Sequence, residues 1–367
     1  MGEHAAPSFF SRMTSNRGAD AHALAGIQYV RAAAALIVVL DHASQKMALP
    51  KYFGHAPLGG LFEAGSVGVD VFFTLSGFII VYISLNAAGA PKMDPWTFFK
   101  RRFARIVPFM WLVVVAYAAL RLGARGAFPV WNYVRALTLF PVGAVDPSVV
   151  WTLRHEWLFY GLFALSFLSG RRWIFVIWMI APLVAVALGL RPSPSLDGWP
   201  ALGAFLANPL DLLFGLGVAL GLAYTRTAAR WTPRAWAAPL LLAALAVVFV
   251  VARAIQYDRA YIWQVLLIGA LGCAALALAC LASASRGWLG DAGRRLGDAS
   301  YCIYLTHTAI VSGLLGLLSQ HAHGLPDGAI LAVTFIACMA AGLVLHYLVE
   351  RPLVEAVQRR LLRRAAV

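Results

Sequence analysis

Apolar runs about long enough to cross a bilayer, around 20 residues, recur along almost the whole chain and leave little choice of architecture. Backbone N–H and C=O groups in hydrocarbon must be paired within the protein, so such runs fold as helices. Ten spans are predicted, at 27–46, 64–85, 104–122, 150–168, 172–190, 202–224, 235–253, 261–283, 296–318 and 327–349. Only Gly170-Arg171-Arg172 separates the fourth from the fifth, which predicts a tight helical hairpin. Ala90-Pro91 and Arg191-Pro192-Ser193-Pro194 mark other breaks. Charged residues make up 13% of the chain and hydrophobic ones 61%, whereas soluble domains carry about 25% charge. The expected fold class is an all-α polytopic membrane protein, a bundle of about ten transmembrane helices over 27–350. A polar segment, 1–26, precedes the bundle and a basic tail, 351–367, follows it. The leading segment has no apolar core or small-residue cleavage site, so it does not read as a signal peptide.

The net charge of +14 does not point to nucleic acid. The basic residues are spread over short connections between apolar runs, a pattern of membrane topology. Of the 30 Lys and Arg residues, 20 lie in the N-terminal segment, the even-numbered connections and the tail. Eight lie in the odd-numbered connections and their edges, and the remaining two, Arg31 and Arg154, lie deeper within spans. Both termini are therefore expected in the cytoplasm. The four cysteines sit in apolar stretches, with no disulfide framework or CxxC metal motif. No internal repeat of the kind found in inverted-repeat transporters is visible.

The first span carries Arg31 and His42. Eleven helical steps bring them to within about 20° of one face and about 16 Å apart along the axis. His42 is a candidate general base, or else a histidine bonded to a neighbouring helix or headgroup. The expected topology brings His42, Asp70 and Glu156 to similar depth. Asp70 is a proton acceptor or an orienting group for a base, or a helix cap. Glu156 lies about 9 Å inside its span, and its alternative is an ion pair with Arg154 or His155. Arg102 and Arg105, i and i+3 on one helical face, suit a bidentate grip on phosphate oxygens; anchoring at anionic lipid is the alternative. His307 lines the bundle interior or is simply packed. Asn208 and Asp211 are candidates to line a polar cavity. His321-Ala322-His323 is too weak a pattern to assign a metal.

Several stretches carry a family resemblance. Arg31-X10-His42, Gly68–Ile80 (GVDVFFTLSGFII), Arg101–Pro108 (RRFARIVP), Trp151–Tyr160 (WTLRHEWLFY), Ser300–His307 (SYCIYLTH) and Glu350-Arg-Pro352 occur in this order. Together they resemble the membrane-bound acyltransferase family 3 over roughly residues 26–355, in its short stand-alone form. Ile27–Arg31 (IQYVR) and Asp211–Gly217 (DLLFGLG) resemble the exopolysaccharide acetyltransferases most. The resemblance implies acyl transfer from cytoplasmic acyl-CoA, foremost acetyl-CoA, to a hydroxyl of a carbohydrate or lipid-linked glycan, with no metal. It implies catalytic roles for His42, with Glu156 or Asp70 fixing its tautomer, and substrate binding by Arg31, Arg102, Arg105, His307 and Tyr160. Asp41 stands where an aromatic or apolar residue is usual in the family, and Arg154-His155 replace less charged neighbours.

The rival from another class is a transporter or flippase of a lipid-linked glycan that performs no chemistry. The arginine pair and the absence of repeat symmetry favour the enzyme. The topology is directly testable: a reporter active only outside the cell should be silent when fused after Val367 and active when inserted near Asp327. The reverse pattern overturns the depth assignments.

Overall fold

The computed structural model describes residues 18–125, 129–189, 198–227, 231–282, 287–321 and 324–363. The expectations for the first 17 residues, the break at Arg191–Pro194, Arg230, Arg286, His323 and the last four residues of the tail lie outside the described residues. Among the described residues the chain is helical, with no named strand. The helices are α1 (Gly18–Met47), α2 (Val67–Ser84), α3 (Pro95–Arg125), α4 (Val130–Thr138), α5 (Trp151–Phe163), α6 (Arg172–Ala187), α7 (Gly198–Leu206), α8 (Asp211–Thr227), α9 (Ala237–Ala254), α10 (Ile262–Leu281), α11 (Trp288–His321), α12 (Asp327–Leu345) and α13 (Arg351–Arg363). Eight described helical stretches are long and apolar enough to cross a membrane. The other two expected spans correspond to α5, extended by a π-turn over Ala164–Leu168, and to the shorter α6.

The boundaries that moved have local causes. α3 starts at Pro95, whose missing N–H and fixed φ suit the first helical position, so Arg102 and Arg105 lie well inside the helix. The expected span 202–224 is broken at Asn208-Pro209. The Asn208 side chain accepts the Leu210 N–H at 3.0 Å across the break, and α8 begins with the buried Asp211. α12 runs through a π-turn, His346–Glu350, directly into the basic helix α13.

Close helix approach holds the bundle together. α2 packs along α8, where a Cβ on Gly217 would sit 1.9 Å from the Thr74 carbonyl oxygen. A Cβ on Gly77 would likewise sit 2.2 Å from the Phe214 carbonyl oxygen. Lipid is as apolar as leucine, so small residues that bring backbones together supply much of the association. Phe159 and Phe214 stack beside this seam with ring centroids 4.4 Å apart.

Gly217→Ala should therefore force α2 and α8 apart, at a cost of about 1–3 kcal/mol for overpacking. Gly161→Ala, where a Cβ meets nothing within 4 Å, should be tolerated. Thermal melting followed by size-exclusion in detergent separates the two. Equal melting temperatures would show that the seam has slack.

Candidate active site

α1, α2, α3, α5 and α11 enclose a cavity of about 120 Å³, several times the space one water needs. One part of its wall is charged, with Arg31, Arg102, Arg105, Glu156 and Tyr160. Elsewhere it is apolar, with Phe72, Phe73, Ile79 and Tyr304. The guanidinium of Arg31 donates to Ser300 Oγ, from Nε at 3.1 Å and Nη2 at 2.9 Å. Arg102 lies over the rings of Phe98 and Tyr160, 5.9 and 5.7 Å from their centroids, a cation–π arrangement. Its buried Nε has no hydrogen-bond partner. Arg105 donates to Glu350 Oε1 and lies over Tyr301. Glu350 Oε2 also accepts from His346 Nδ1 at 2.7 Å. Glu156 Oε1 accepts from Ser76 Oγ at 3.2 Å and from the Tyr160 hydroxyl. Of the three guanidinium groups, Arg105 is paired with Glu350, while Arg102 makes no ion pair among the described residues and is the one suited to an anionic ligand.

His42 and His307 do not line this cavity. They stack on one another, with ring centroids 5.0 Å apart and planes 6° apart, and His42 Nδ1 lies 2.7 Å from His307 Nε2. His307 is fully buried, and its Nδ1 lies 2.7 Å from the Tyr304 carbonyl oxygen. A carbonyl only accepts, so His307 Nδ1 carries the proton and His307 Nε2 presents a lone pair. His42 Nδ1–H therefore donates to it, and His42 Nε2 is left as the proton acceptor. Tyr304, which lines the cavity, has its ring 5.8 Å from that of His307 and 6.3 Å from that of Phe72.

The expectation that Glu156 or Asp70 orients His42 is corrected by this arrangement. Asp70 is wholly buried and takes Arg259 through Nε at 3.2 Å and Nη2 at 2.7 Å, with the Tyr257 hydroxyl at 2.7 Å. Glu156 belongs to Ser76 and Tyr160. It pairs with neither Arg154 nor His155, and His155 turns instead to Asp211 at 3.3 Å. The Cys338 thiol lies 3.9 Å from the His307 carbonyl oxygen. His321 Nδ1 donates to the Leu317 carbonyl at 3.0 Å. Residues that sequence reasoning did not single out are Arg259, Tyr257, Ser300 and Tyr304. The last two sit in a motif already noted, but Arg259, in the connection before α10, carries no local signal.

The family model described as an acyltransferase domain, Acyl_transf_3, matches residues 24–351. The chain belongs to the acyltransferase 3 family. Among curated relatives of this acyltransferase, the exopolysaccharide production protein ExoZ of Rhizobium meliloti (strain 1021) is 29% identical over 316 residues, 82% of this chain and 93% of that protein. The acyltransferase MdmB of Streptomyces mycarofaciens is 27% identical over 361 residues, 89% of this chain and 90% of that protein. No solved structure matches.

The Asp70–Arg259 pair is an anchor in this acyltransferase, which separates its behaviour from that of a base-orienting group. Asp70→Ala should cost about 1–3 kcal/mol, because it leaves the partly exposed Arg259 guanidinium without its carboxylate. The double variant Asp70→Ala with Arg259→Ala should recover part of that loss. Melting temperatures of the purified variants check it. Full stability of Asp70→Ala combined with lost activity would return Asp70 to the catalytic group.

Proposed function

We propose that this acyltransferase is an integral protein of the bacterial cytoplasmic (inner) membrane, with both termini in the cytoplasm. It moves an acyl group, foremost acetyl, from cytoplasmic acyl-CoA to a hydroxyl of a cell-surface or lipid-linked carbohydrate. The observation that carries the mechanism is the hydrogen-bond chain Tyr304 C=O, His307, His42, which leaves His42 Nε2 unprotonated. The carbohydrate acceptor is supported by the relative named for exopolysaccharide production.

In this reading Arg31, Arg102 and Arg105 hold the phosphates of the donor in the charged part of the cavity. The apolar wall receives the thioester end, which meets His42 past Phe72 and Tyr304. His42 Nε2 takes the proton of the acceptor hydroxyl as its oxygen attacks the thioester carbonyl. The C–S bond breaks, and the imidazolium returns the proton to the leaving CoA thiolate. His307 holds the ring in the productive tautomer. It supplies orientation and not the countercharge a carboxylate gives in a triad. Tyr160 keeps Glu156 and Arg102 in place at the cavity wall. Arg105 is already engaged by Glu350, so Arg102 is the cleaner probe of donor binding.

His42→Ala should lower acyl transfer by about 10²–10⁴-fold, with acyl-CoA binding retained. His42→Gln should fail nearly as badly, because an amide cannot become imidazolium. Arg102→Ala should instead raise the acyl-CoA requirement. Glycan O-acylation in cells, at matched membrane protein levels, reads the first pair, and acyl-CoA titration of purified protein reads the last. A fully active His42→Ala sinks the mechanism. In a flippase these variants would lower glycan export and leave the acyl groups per exported chain unchanged.

A further inference from the structure

α5 has two working faces. Thr152, Leu153, Glu156 and Tyr160 face the arginine cavity, whereas Trp151, Arg154 and His155, spaced i, i+3, i+4, face a second cavity. That cavity measures about 510 Å³ and lies between the 141–148 loop, the start of α5, and α7 with Asn208. Its size falls in the range of small-molecule sites, about 300–1,000 Å³. Nothing in the mechanism above uses it.

Two of its side chains are set up for a ligand. Arg154 is only 7% exposed and makes one hydrogen bond, from Nη1 to the Gly143 carbonyl at 2.8 Å. Its Nε and Nη2 have no partner. Enclosing a guanidinium with unused donors is costly, and the bond to Gly143 keeps the head group from swinging away. His155 is held on its other side. Its Nδ1 lies 3.3 Å from Asp211 Oδ1, and Asp211 Oδ2 accepts from Trp178 Nε1 at 3.2 Å. The Phe205 ring packs on the imidazole, centroids 4.3 Å apart. With Nδ1–H donated to the carboxylate, His155 Nε2 presents a lone pair, and no described residue pairs with it. The wall thus offers a cation whose enclosed Nε and Nη2 lack partners, an oriented acceptor, and the half-buried indole of Trp151.

We propose that this second cavity is a glycan subsite that takes a sugar bearing an oxyanion. The carboxylate or phosphate would sit on Arg154, which is suited to bidentate recognition of either. A hydroxyl of the same sugar would donate to His155 Nε2, with the apolar face of the ring against Trp151. That the occupant is the acyl acceptor rests on the acyl-transfer reading; that it is an anionic sugar rests on this cavity alone.

The test is calorimetric binding to the full-length protein in phosphatidylcholine nanodiscs, without acyl-CoA. The probes are cellobiouronic acid, its neutral counterpart cellobiose, and glucose 1-phosphate. At least one charged probe should bind about tenfold or more tightly than cellobiose, and which one does so separates carboxylate from phosphate. Arg154→Gln should abolish the preference, Arg154→Lys should restore part of it, and His155→Gln should weaken charged and neutral sugars alike. Ala204→Trp, which fills the cavity while leaving both side chains in place, should abolish binding and covers the case in which Arg154→Gln fails to fold. Equal binding of charged and neutral sugars, or a preference that survives Arg154→Gln or Ala204→Trp, overturns the proposal. So does loss of the preference when phosphatidylglycerol is added, which would give the cavity to a lipid headgroup. The same binding should persist in His42→Ala. An inactive wild-type protein that still prefers the charged sugar would sink only the acyl-transfer reading, and an active one without the preference only this inference.

Discussion

A polar side chain inside an apolar bundle has to find its partner within the protein, because lipid offers none there. Along α1 this requirement is met four times by α11. Gln28 donates to Asp298, Arg31 to Ser300 and Lys46 to the Thr308 carbonyl, and His42 pairs with His307. Both residue numbers rise together, so the two helices run parallel. That is the direction expected when α1 is the first span and α11 the ninth. Apolar ridges can slide to another register with little loss, whereas a chain of specific hydrogen bonds cannot. The placement of His42 relative to the arginine cavity follows from this register.

The carboxylates are divided among the cations in a way that gives them different work. Asp70 is fully occupied by Arg259 and Tyr257, and Glu350 by Arg105 and His346. Both ion pairs join distant parts of the chain, α2 to the connection before α10 and α3 to the end of α12. Breaking either leaves a buried charge stranded, which costs far more than the pair itself contributes. Glu156 accepts hydrogen bonds from two hydroxyls and adds negative charge to the cavity wall. Among the cavity arginines Glu350 engages Arg105, while Arg102 makes no ion pair among the described residues.

The spans were legible because apolar runs of bilayer length have only one way to fold, and Arg31 with His42 because their spacing puts them on one face of a helix. Which groups meet across helices was not. His42 is 265 residues from His307 in sequence, and Asp70 is 189 from Arg259. Periodicity gives the face of a helix but not the neighbour opposite it. The carboxylate chosen as an orienting group for His42 was a reasonable chemical type at the right depth, but Arg259 out-competes an imidazole for it, since a guanidinium offers two donors in a fork. The break at Asn208-Pro209 was masked by hydrophobicity on both sides, although the proline was there to be read. Arg154 and His155 were legible as departures from the family pattern, while the cavity they line was not.

The stretch WTLRHEWLFY shows how one helix serves two spaces. A turn of 3.6 residues sends Arg154 and His155 to one side and Glu156 and Tyr160 to the other, so adjacent letters of the sequence act in different cavities about one helix diameter apart, roughly 10 Å. A polymeric glycan suits that geometry. On the proposed reading, one charged sugar held against Arg154 would leave neighbouring units to be presented elsewhere on the bundle, and the tether would raise the effective concentration of their hydroxyls. Recognition and reaction then need not share a pocket, and specificity for the charged unit is compatible with acylation of a neutral one. A small free acceptor, by contrast, would gain nothing from a binding site set across the helix from the proposed base.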